Sequence, residues 1–185
     1  MKLPDGAQAR TALADGVILA LAALVTYLLA TRLLSWVHSV SAADDALGGL
    51  WAVIAAIFVN RASYAESVGA AVSRMAATLI SFVYCLIYLA FLPFHSWALA
   101  VLVGVSALTA TLIGRPGDAI TAAITTTVVL VVADVSPHGA WEQPILRLAD
   151  TVIGVVIGVA SAWLDQRVIR PRIRPPGGGS ANAPG

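Results

Sequence analysis

The sequence predicts an all-α membrane protein with six transmembrane helices, arranged as two inverted three-helix repeats. Three observations lead to this fold class: the composition, the number of apolar segments, and a sequence motif that occurs twice. Of the 185 residues, 59% are hydrophobic and only 11% are charged, whereas soluble domains carry about a quarter charged residues. A chain of this size cannot enclose so much apolar surface in one water-surrounded core, so we expect lipid to cover part of it.

Polar links divide the apolar residues into six segments, which lie at 16–37, 46–59, 72–92, 97–113, 119–133 and 145–164. A helix needs roughly 20 apolar residues to cross a bilayer core, and the second and fifth segments are the two short ones. The predicted six-span domain occupies 15–166 and follows an N-terminal segment, 1–14. A basic and then Pro- and Gly-rich tail, 167–185, has a composition typical of disorder.

The repeated motif consists of an arginine, three intervening residues, a threonine and two aliphatic residues. Arg74 and Thr78 open the third segment, and Arg147 and Thr151 open the sixth. The second copy follows the first after 73 residues (position 74 to position 147), and Asp45 finds Asp118 at the same offset. A unit of this length holds three helices, and an odd number inverts the second copy. Inverted repeats of this kind are common among secondary transporters.

The basic residues predict the orientation of the chain. With a cytoplasmic N-terminus, the outside retains only Arg32 and Arg147, as the positive-inside rule requires. We therefore expect a multi-pass protein of the inner (plasma) membrane with both termini in the cytoplasm. A cleaved signal peptide is the alternative for the first span, because 40–42 resembles a cleavage site, but the apolar run exceeds a signal core. The basic residues placed inside are Lys2, Arg10, Arg61, Arg74, Arg115, Arg167, Arg170, Arg172 and Arg174.

The two short segments indicate a candidate binding region. Short spans at equivalent places in two halves are typical of a transporter's binding site, and helix N-termini inside the membrane zone favour anions. Candidate substrate-binding residues are Trp51, Asn60 and Arg61 in the second segment, and Thr125 and Thr126 in the fifth. The alternative is that both segments are ordinary tilted helices, extended by polar residues at their ends.

The arginines that open the third and sixth segments give a sharper hypothesis. A guanidinium remains charged and binds carboxylates through paired donors, which suits an organic-acid substrate. We therefore predict that Arg74, Thr78, Arg147 and Thr151 bind substrate. Asp150 lies one helical turn after Arg147 and is a candidate proton-coupling residue. The alternatives are that each arginine reaches to lipid headgroups, and that Arg147 and Asp150 form a structural ion pair.

Other functional classes find little support in the sequence. No catalytic or metal-ligand motif is present, so neither an enzyme nor a cofactor is predicted. The net charge of +1 does not suggest nucleic acid as a partner; the expected partners are the lipid bilayer and a small organic anion. Gly154 and Gly158 form a G-x-x-x-G step, which permits close helix packing. The sequence leaves open whether the neighbouring helix belongs to this chain or to a second copy.

Two groups of residues, one in each half, carry a family resemblance. The first contains Trp51-Ala52-Val53-Ile54, Asn60-Arg61-Ala62-Ser63-Tyr64, Arg74 and Thr78; the second contains Arg147, Asp150, Thr151, Gly154 and Gly158. Together they resemble the signature of the FUSC family, the fusaric-acid-resistance proteins and aromatic-acid exporters that are related to plant malate channels. The resemblance covers about 15–170. It departs from the family pattern at Ala77, where the glycine before the threonine is missing, and this leaves close packing at the third span in doubt.

The resemblance implies proton-driven efflux of aromatic or other organic carboxylates. The large cytoplasmic domain and second membrane half of full-length exporters are not in this sequence, so the resemblance implies a half-transporter that acts as a homodimer. Two alternatives remain open at this point. One is a passive organic-anion channel like the malate channels, and the other is a non-transporting membrane partner or scaffold.

Overall fold

Six α-helices make up nearly all of the chain described by the computed structural model, which covers residues 6–37, 42–61, 63–135 and 140–169. No strand occurs among these residues. Short 3₁₀ turns at Pro116–Asp118 and Ala140–Glu142 precede the last two helices, and a π turn, Asp165–Ile169, follows the last. The helices are α1 (Gly6–Val37), α2 (Ala42–Val59), α3 (Tyr64–Phe91), α4 (Ser96–Leu112), α5 (Ala119–Val135) and α6 (Gln143–Leu164).

Within the described residues, four helical segments are long and apolar enough to cross a membrane: Thr11–Arg32, Tyr64–Phe91, Pro116–Val135 and Ala140–Val168. The helix at Ser96–Leu112 is apolar but shorter. The six predicted segments therefore overlap six helices of the described residues. The four candidate spans are those segments that meet both the length and the hydropathy of a membrane helix. Residues 1–5 and 170–185, which include Lys2 and most of the predicted tail, lie outside the described residues.

The helix lengths differ in one respect from the sequence prediction. We expected the second and fifth helices to be the two short ones, but α4 and α5 are equally short, with 17 residues each, and α2 has 18. Helix α2 begins before its predicted apolar segment, and its first turn contains Asp44 and Asp45. Acidic side chains are favourable there, where they face the positive end of the helix dipole.

Helix α2 lies between α1 and α6, and it runs parallel to α6. Positions along the two helices advance together, and their successive pairs are Gly48 with Asp150, Ala52 with Gly154, Ala56 with Gly158, and Asn60 with Ser161. Because the two helices run side by side in the same direction, the start of α2 lies beside the start of α6 and the end of α2 beside the end of α6. This geometry separates the two predicted arginine sites.

The G-x-x-x-G step of α6 packs against a helix of the same chain. A Cβ atom added to Gly154 would lie 2.7 Å from the Cβ of Ala55, and one added to Gly158 would lie 2.7 Å from the carbonyl oxygen of Ala56. Both distances are far below van der Waals contact. The two glycines therefore allow α2 and α6 to approach as closely as they do, which answers the question that the sequence left open.

Helices α3, α4 and α5 form the other half of the bundle. Helix α5 runs parallel to α3, because Asp118 at its start accepts a hydrogen bond from Ser73, and Ala122, further along, accepts one from Ser81 over 2.8 Å. Helix α4 is antiparallel to both. Helices α3 and α6 are also in contact across the middle of the bundle. The two arginine-bearing helices therefore form its centre.

Large apolar side chains cover the outside of the bundle. Helix α1 is the most exposed of the four long segments, with only 11% of its apolar window buried. In water such a surface would be unfavourable, and in a bilayer lipid covers it at no cost. The inward-facing polar residues are therefore the candidates for a functional site.

Candidate functional site

Arg74 is buried because of its place on α3. The helix begins at Ser63, whose side-chain oxygen accepts a hydrogen bond of 3.2 Å from the backbone N–H of Glu66, a usual N-cap arrangement. From there one stripe at helical spacing faces the interior, and Arg74 is only 2% exposed. The buried residues of α3 are Ser67, Ala71, Arg74, Ala77, Thr78, Ser81, Cys85 and Leu89.

Two aromatic rings of α2 cover the guanidinium group of Arg74. Its Cζ atom lies 4.9 Å from the ring centroid of Trp51 and 5.5 Å from that of Phe58. These are cation–π distances. Among the described residues, no carboxylate lies within the 4.0 Å of an ion pair, and the Nε and Nη2 atoms have no hydrogen-bond partner. Arg74 is thus a buried cation without a counter-ion in the part of the chain that the structure describes.

Two further polar atoms near Arg74 are buried and unpaired in the described part of the chain. They are the indole Nε1 of Trp51 and the hydroxyl oxygen of Thr78. Thr78 lies one helical turn after Arg74 on the same face of α3. Buried polar groups nearly always have partners, so several orphaned donors beside one cation are unusual. We call Arg74, Trp51, Phe58 and Thr78 the Arg74 cluster.

The second arginine has the counter-ion that Arg74 lacks. Arg147 Nη1 lies 3.1 Å from Asp150 Oδ2, and the side chains are 2% and 0% exposed. Helix α2 leaves room for this pair, because a Cβ atom added to Gly48 would lie only 3.0 Å from Asp150 Oδ1. Asp44, at the start of α2, is near enough for its charge to act on Arg147 as well. This pair confirms the structural contact that the spacing suggested.

The two arginines differ in a way that the 73-residue offset makes clear. The position equivalent to Asp150 in the first half is Ala77, and the positions equivalent to Trp51 and Phe58 in the second half are Ile124 and Val131. Arg147 therefore has a carboxylate and no rings from the equivalent positions, whereas Arg74 has rings and no carboxylate. The two halves therefore differ in the residues that surround their buried arginines.

The predicted threonines have their hydroxyl groups engaged within the bundle, apart from Thr78. Thr125 donates to the carbonyl of Thr121 over 2.9 Å, and Thr151 donates to that of Arg147 over 2.8 Å. The hydroxyl of Thr126 lies 3.0 Å from those of Ser81 and Ser106, so it joins α3, α4 and α5. Substrate binding by these three threonines stays a prediction, and any contact would have to use the remaining lone pairs.

The two predicted residues at the end of α2 lie apart from each other. The Asn60 side chain donates a hydrogen bond of 3.0 Å to the hydroxyl of Ser161 on α6. Arg61 is exposed, with its Cζ atom 5.3 Å from the ring centroid of Phe58. Phe58 therefore contacts both Arg61 and Arg74, one at the surface and one inside. The structure brings Arg61 toward the Arg74 cluster and directs Asn60 to α6.

Sequence reasoning missed two residues of these sites, Phe58 and Gly48. Phe58 lies seven residues after Trp51, a spacing that places both on one face of a helix, so this signal was available. Gly48 carried no signal, because its role depends on Asp150, which is remote in sequence. Among the described residues, no three His, Cys, Asp or Glu side chains form a group that could hold a metal ion.

Comparison with known proteins places these features in a family. Residues 29–161 match the family described as fusaric acid resistance protein-like, a range that contains every residue of both arginine sites. No curated protein and no solved structure matches the chain. The apolar helices and the family match indicate a multi-pass membrane protein, and the family is one of transporters with an efflux-type function. The chain belongs to the fusaric acid resistance protein-like family.

Proposed function

We propose that this protein exports a small organic anion across the membrane and binds the anion's carboxylate at the Arg74 cluster. The observation that carries the proposal is the buried guanidinium of Arg74, which has no acidic partner among the described residues. We propose aromatic or related carboxylates as the substrate class, in keeping with the fusaric acid that the family description names.

The energetics of a buried charge support an anionic ligand. An unpaired ion inside a protein costs several kcal/mol relative to water, and cation–π contacts such as those with Trp51 and Phe58 return only about 2 kcal/mol. A carboxylate beside the guanidinium would supply the missing counter-charge. The indole N–H of Trp51 and the hydroxyl of Thr78 would then donate to the carboxylate oxygens, so that one ligand pairs the orphaned donors of the Arg74 cluster.

Asp150 provides a route for proton coupling in this proposal. When Asp150 takes up a proton from the outside, its carboxylate becomes a neutral carboxylic acid. Arg147 then loses the negative charge at 3.1 Å, while that of Asp44 at the start of α2 remains. Arg147 would then attract the anion from the Arg74 cluster. When the proton leaves toward the cytoplasm, the Arg147–Asp150 pair re-forms and the anion is released outward. Each cycle moves one proton inward and one anion outward.

The positions of the two arginines support this exchange. Asp150 lies beside Gly48, whereas Arg74 lies over Trp51 and Phe58. These two rings follow Gly48 by about 5 Å and about 15 Å along the helix. The two charges therefore lie at different depths. In the orientation that the arginines predict, Arg74 is nearer the cytoplasm and Arg147 nearer the outside.

The proposal also includes an inverted repeat that relates the two halves of the chain. Helix α1 packs on α2 as α4 packs on α5, and α2 packs on α6 as α5 packs on α3. If the first three helices are exchanged with the last three, each of these helix contacts is replaced by another of them. This correspondence supports the proposed inverted repeat. We also propose that two copies assemble, as in a dimer of half-transporters, in the inner membrane with the termini in the cytoplasm.

Flux of a radiolabelled carboxylate in proteoliposomes tests the proposal. We expect benzoate to move against its gradient when a pH gradient is imposed, and Arg74→Ala to abolish this flux. Arg167→Ala is the matched control, because Arg167 also lies over an indole, that of Trp163 at 5.9 Å, but is exposed. The control variant should keep wild-type flux.

The same assay separates the alternatives. Flux that requires Arg74 but is indifferent to the pH gradient would contradict proton coupling and indicate a channel. In the coupled mechanism, Asp150→Asn should retain anion binding at Arg74 and lose the response to the gradient. Absence of flux for a panel of carboxylates, with protein correctly reconstituted, would contradict transport and favour a partner or scaffold.

A further inference from the structure

We infer that the Arg74 cluster accepts one negative charge only, so that it selects monocarboxylates and rejects dicarboxylates of similar shape. The inference rests on the proposed anion site and adds to it the charge of the ligand. It comes from the charges around Arg74 and from the missing carboxylate at Ala77.

The described interior carries one unbalanced positive charge near this site. Arg147 is balanced by Asp150 at 3.1 Å. Asp118 is linked to α3 through Ser73, the residue next to Arg74, but its own charge is balanced by Arg115 at 3.1 Å. The surface cation Arg61 is exposed, so water screens its charge. Arg74 alone therefore sets the charge that a bound ligand must neutralise.

A second negative charge on the ligand would have no partner inside. One carboxylate can face the guanidinium and the donors of Trp51 and Thr78, which neutralises the site. A second carboxylate on the same small molecule must then leave water without a buried cation to meet it, because the nearby Arg61 is exposed. Burying an unpaired carboxylate is costly. We expect a dicarboxylate to bind at least tenfold more weakly than a monocarboxylate of the same bulk.

Ala77 is the residue that leaves the positive charge of Arg74 available to a ligand. It is fully buried and lies three residues after Arg74, as Asp150 lies three residues after Arg147. Ala77 packs toward α4 and α5, whereas the guanidinium of Arg74 lies against α2. We expect a carboxylate at position 77 to draw the arginine side chain toward it, because the i,i+3 spacing allows the pairing that Arg147 and Asp150 make. The small side chain at this position is therefore a specificity determinant, and it lies where the family signature normally has a glycine.

Ligand-induced thermal stabilisation of the purified full chain in detergent tests the inference without depending on transport. Three probes are compared at neutral pH and constant ionic strength: benzoate, monomethyl phthalate and phthalate. Monomethyl phthalate has the bulk of phthalate but one charge. We expect the first two to stabilise the protein at concentrations within threefold of each other, and phthalate to need at least tenfold more. Arg74→Ala should abolish the stabilisation by all three.

The opposite results would overturn the inference. Phthalate acting within threefold of monomethyl phthalate would contradict charge selection, and so would stabilisation that persists in Arg74→Ala or that no probe produces. These outcomes are independent of the flux assay. Benzoate flux without discrimination against phthalate would support the transport proposal and refute this inference. Selective binding of monocarboxylates without flux would support this inference and contradict transport.

A pair of isosteric variants tests the role of Ala77. We expect Ala77→Asp to weaken benzoate binding at least tenfold, because the new carboxylate neutralises Arg74, and Ala77→Asn to stay within threefold of wild type. Ala77 packs against Ala110 and Ala122, so both variants share any cost of added volume. Equal affinities in the two folded variants would refute this role, and the comparison of probes on the wild-type protein remains decisive if neither variant folds.

Discussion

Asn60 and Ser161 form a hydrogen bond of 3.0 Å between the last residue before the α2–α3 link and the final turn of α6. The two residues are 101 positions apart in the chain. Their contact holds together the ends of two parallel helices whose earlier parts carry the Arg74 cluster and the Arg147–Asp150 pair. The same side chain was a candidate for substrate binding, and the two roles predict different outcomes of mutation.

A double-mutant cycle distinguishes these roles. Because a hydrogen bond between membrane helices contributes about 0.6 kcal/mol on average, Asn60→Ala and Ser161→Ala should each lower the free energy of unfolding modestly. The double variant should cost less than the two single variants together. In a purely structural role, both single variants keep the wild-type KM for benzoate. A rise in KM that is confined to Asn60→Ala would indicate that Asn60 contacts the substrate.

Replacement of Gly154 by alanine should destabilise the bundle. The added Cβ would lie 2.7 Å from that of Ala55 and would also meet the backbone of Ala52, so α2 and α6 must separate. Overpacking of this kind costs about 1–3 kcal/mol. Thermal unfolding in detergent should show a lower midpoint, together with reduced flux.

Gly69→Ala is the control for this substitution. A Cβ added to Gly69 on α3 meets nothing within 4 Å, and alanine is favoured over glycine inside a helix by about 1 kcal/mol. The control should therefore unfold at the wild-type temperature or slightly above it. If Gly154→Ala and Gly69→Ala behaved alike, close contact between α2 and α6 would not be what Gly154 provides.

Trp51→Phe should weaken anion binding while the fold is maintained. Phenylalanine keeps a ring over Arg74 but removes the buried indole N–H, which has no partner in the described residues. A hydrogen bond to a charged group contributes about 1.5–3 kcal/mol, so we expect KM for benzoate to rise roughly tenfold or more. Trp163→Phe, at an exposed indole, should leave KM unchanged. Equal effects of the two substitutions would contradict a donor role for Trp51.

Cysteine labelling tests the orientation in the membrane. The chain has one cysteine, Cys85, which is fully buried, so the natural background should not react with an impermeant maleimide. Glu66 at the start of α3 and Trp141 before α6 are exposed. With cytoplasmic termini, Trp141→Cys should label in intact cells and Glu66→Cys only after permeabilisation. The reverse pattern would place both termini outside.

Several features of the candidate site could be predicted from the sequence because they lie on one helix. Arg147 and Asp150 are one turn apart, so their pairing follows from helical geometry alone. The spacing of Arg74 and Thr78 likewise places both side chains on one face of α3. The contacts of Thr126 could not be predicted from the sequence, because Ser81 and Ser106 lie on two other helices.

The sequence by itself determined the membrane class, the six helices, the G-x-x-x-G step and the two arginine motifs, because hydropathy and helical periodicity are properties of neighbouring residues. Only the tertiary structure decided that Arg74 lies against Trp51 and Phe58 without a carboxylate, and that Gly48 makes room for Asp150. Those contacts depend on which helices pack together and in which direction. Packing is set by the fit of small and large side chains across the whole bundle, and no local pattern encodes it.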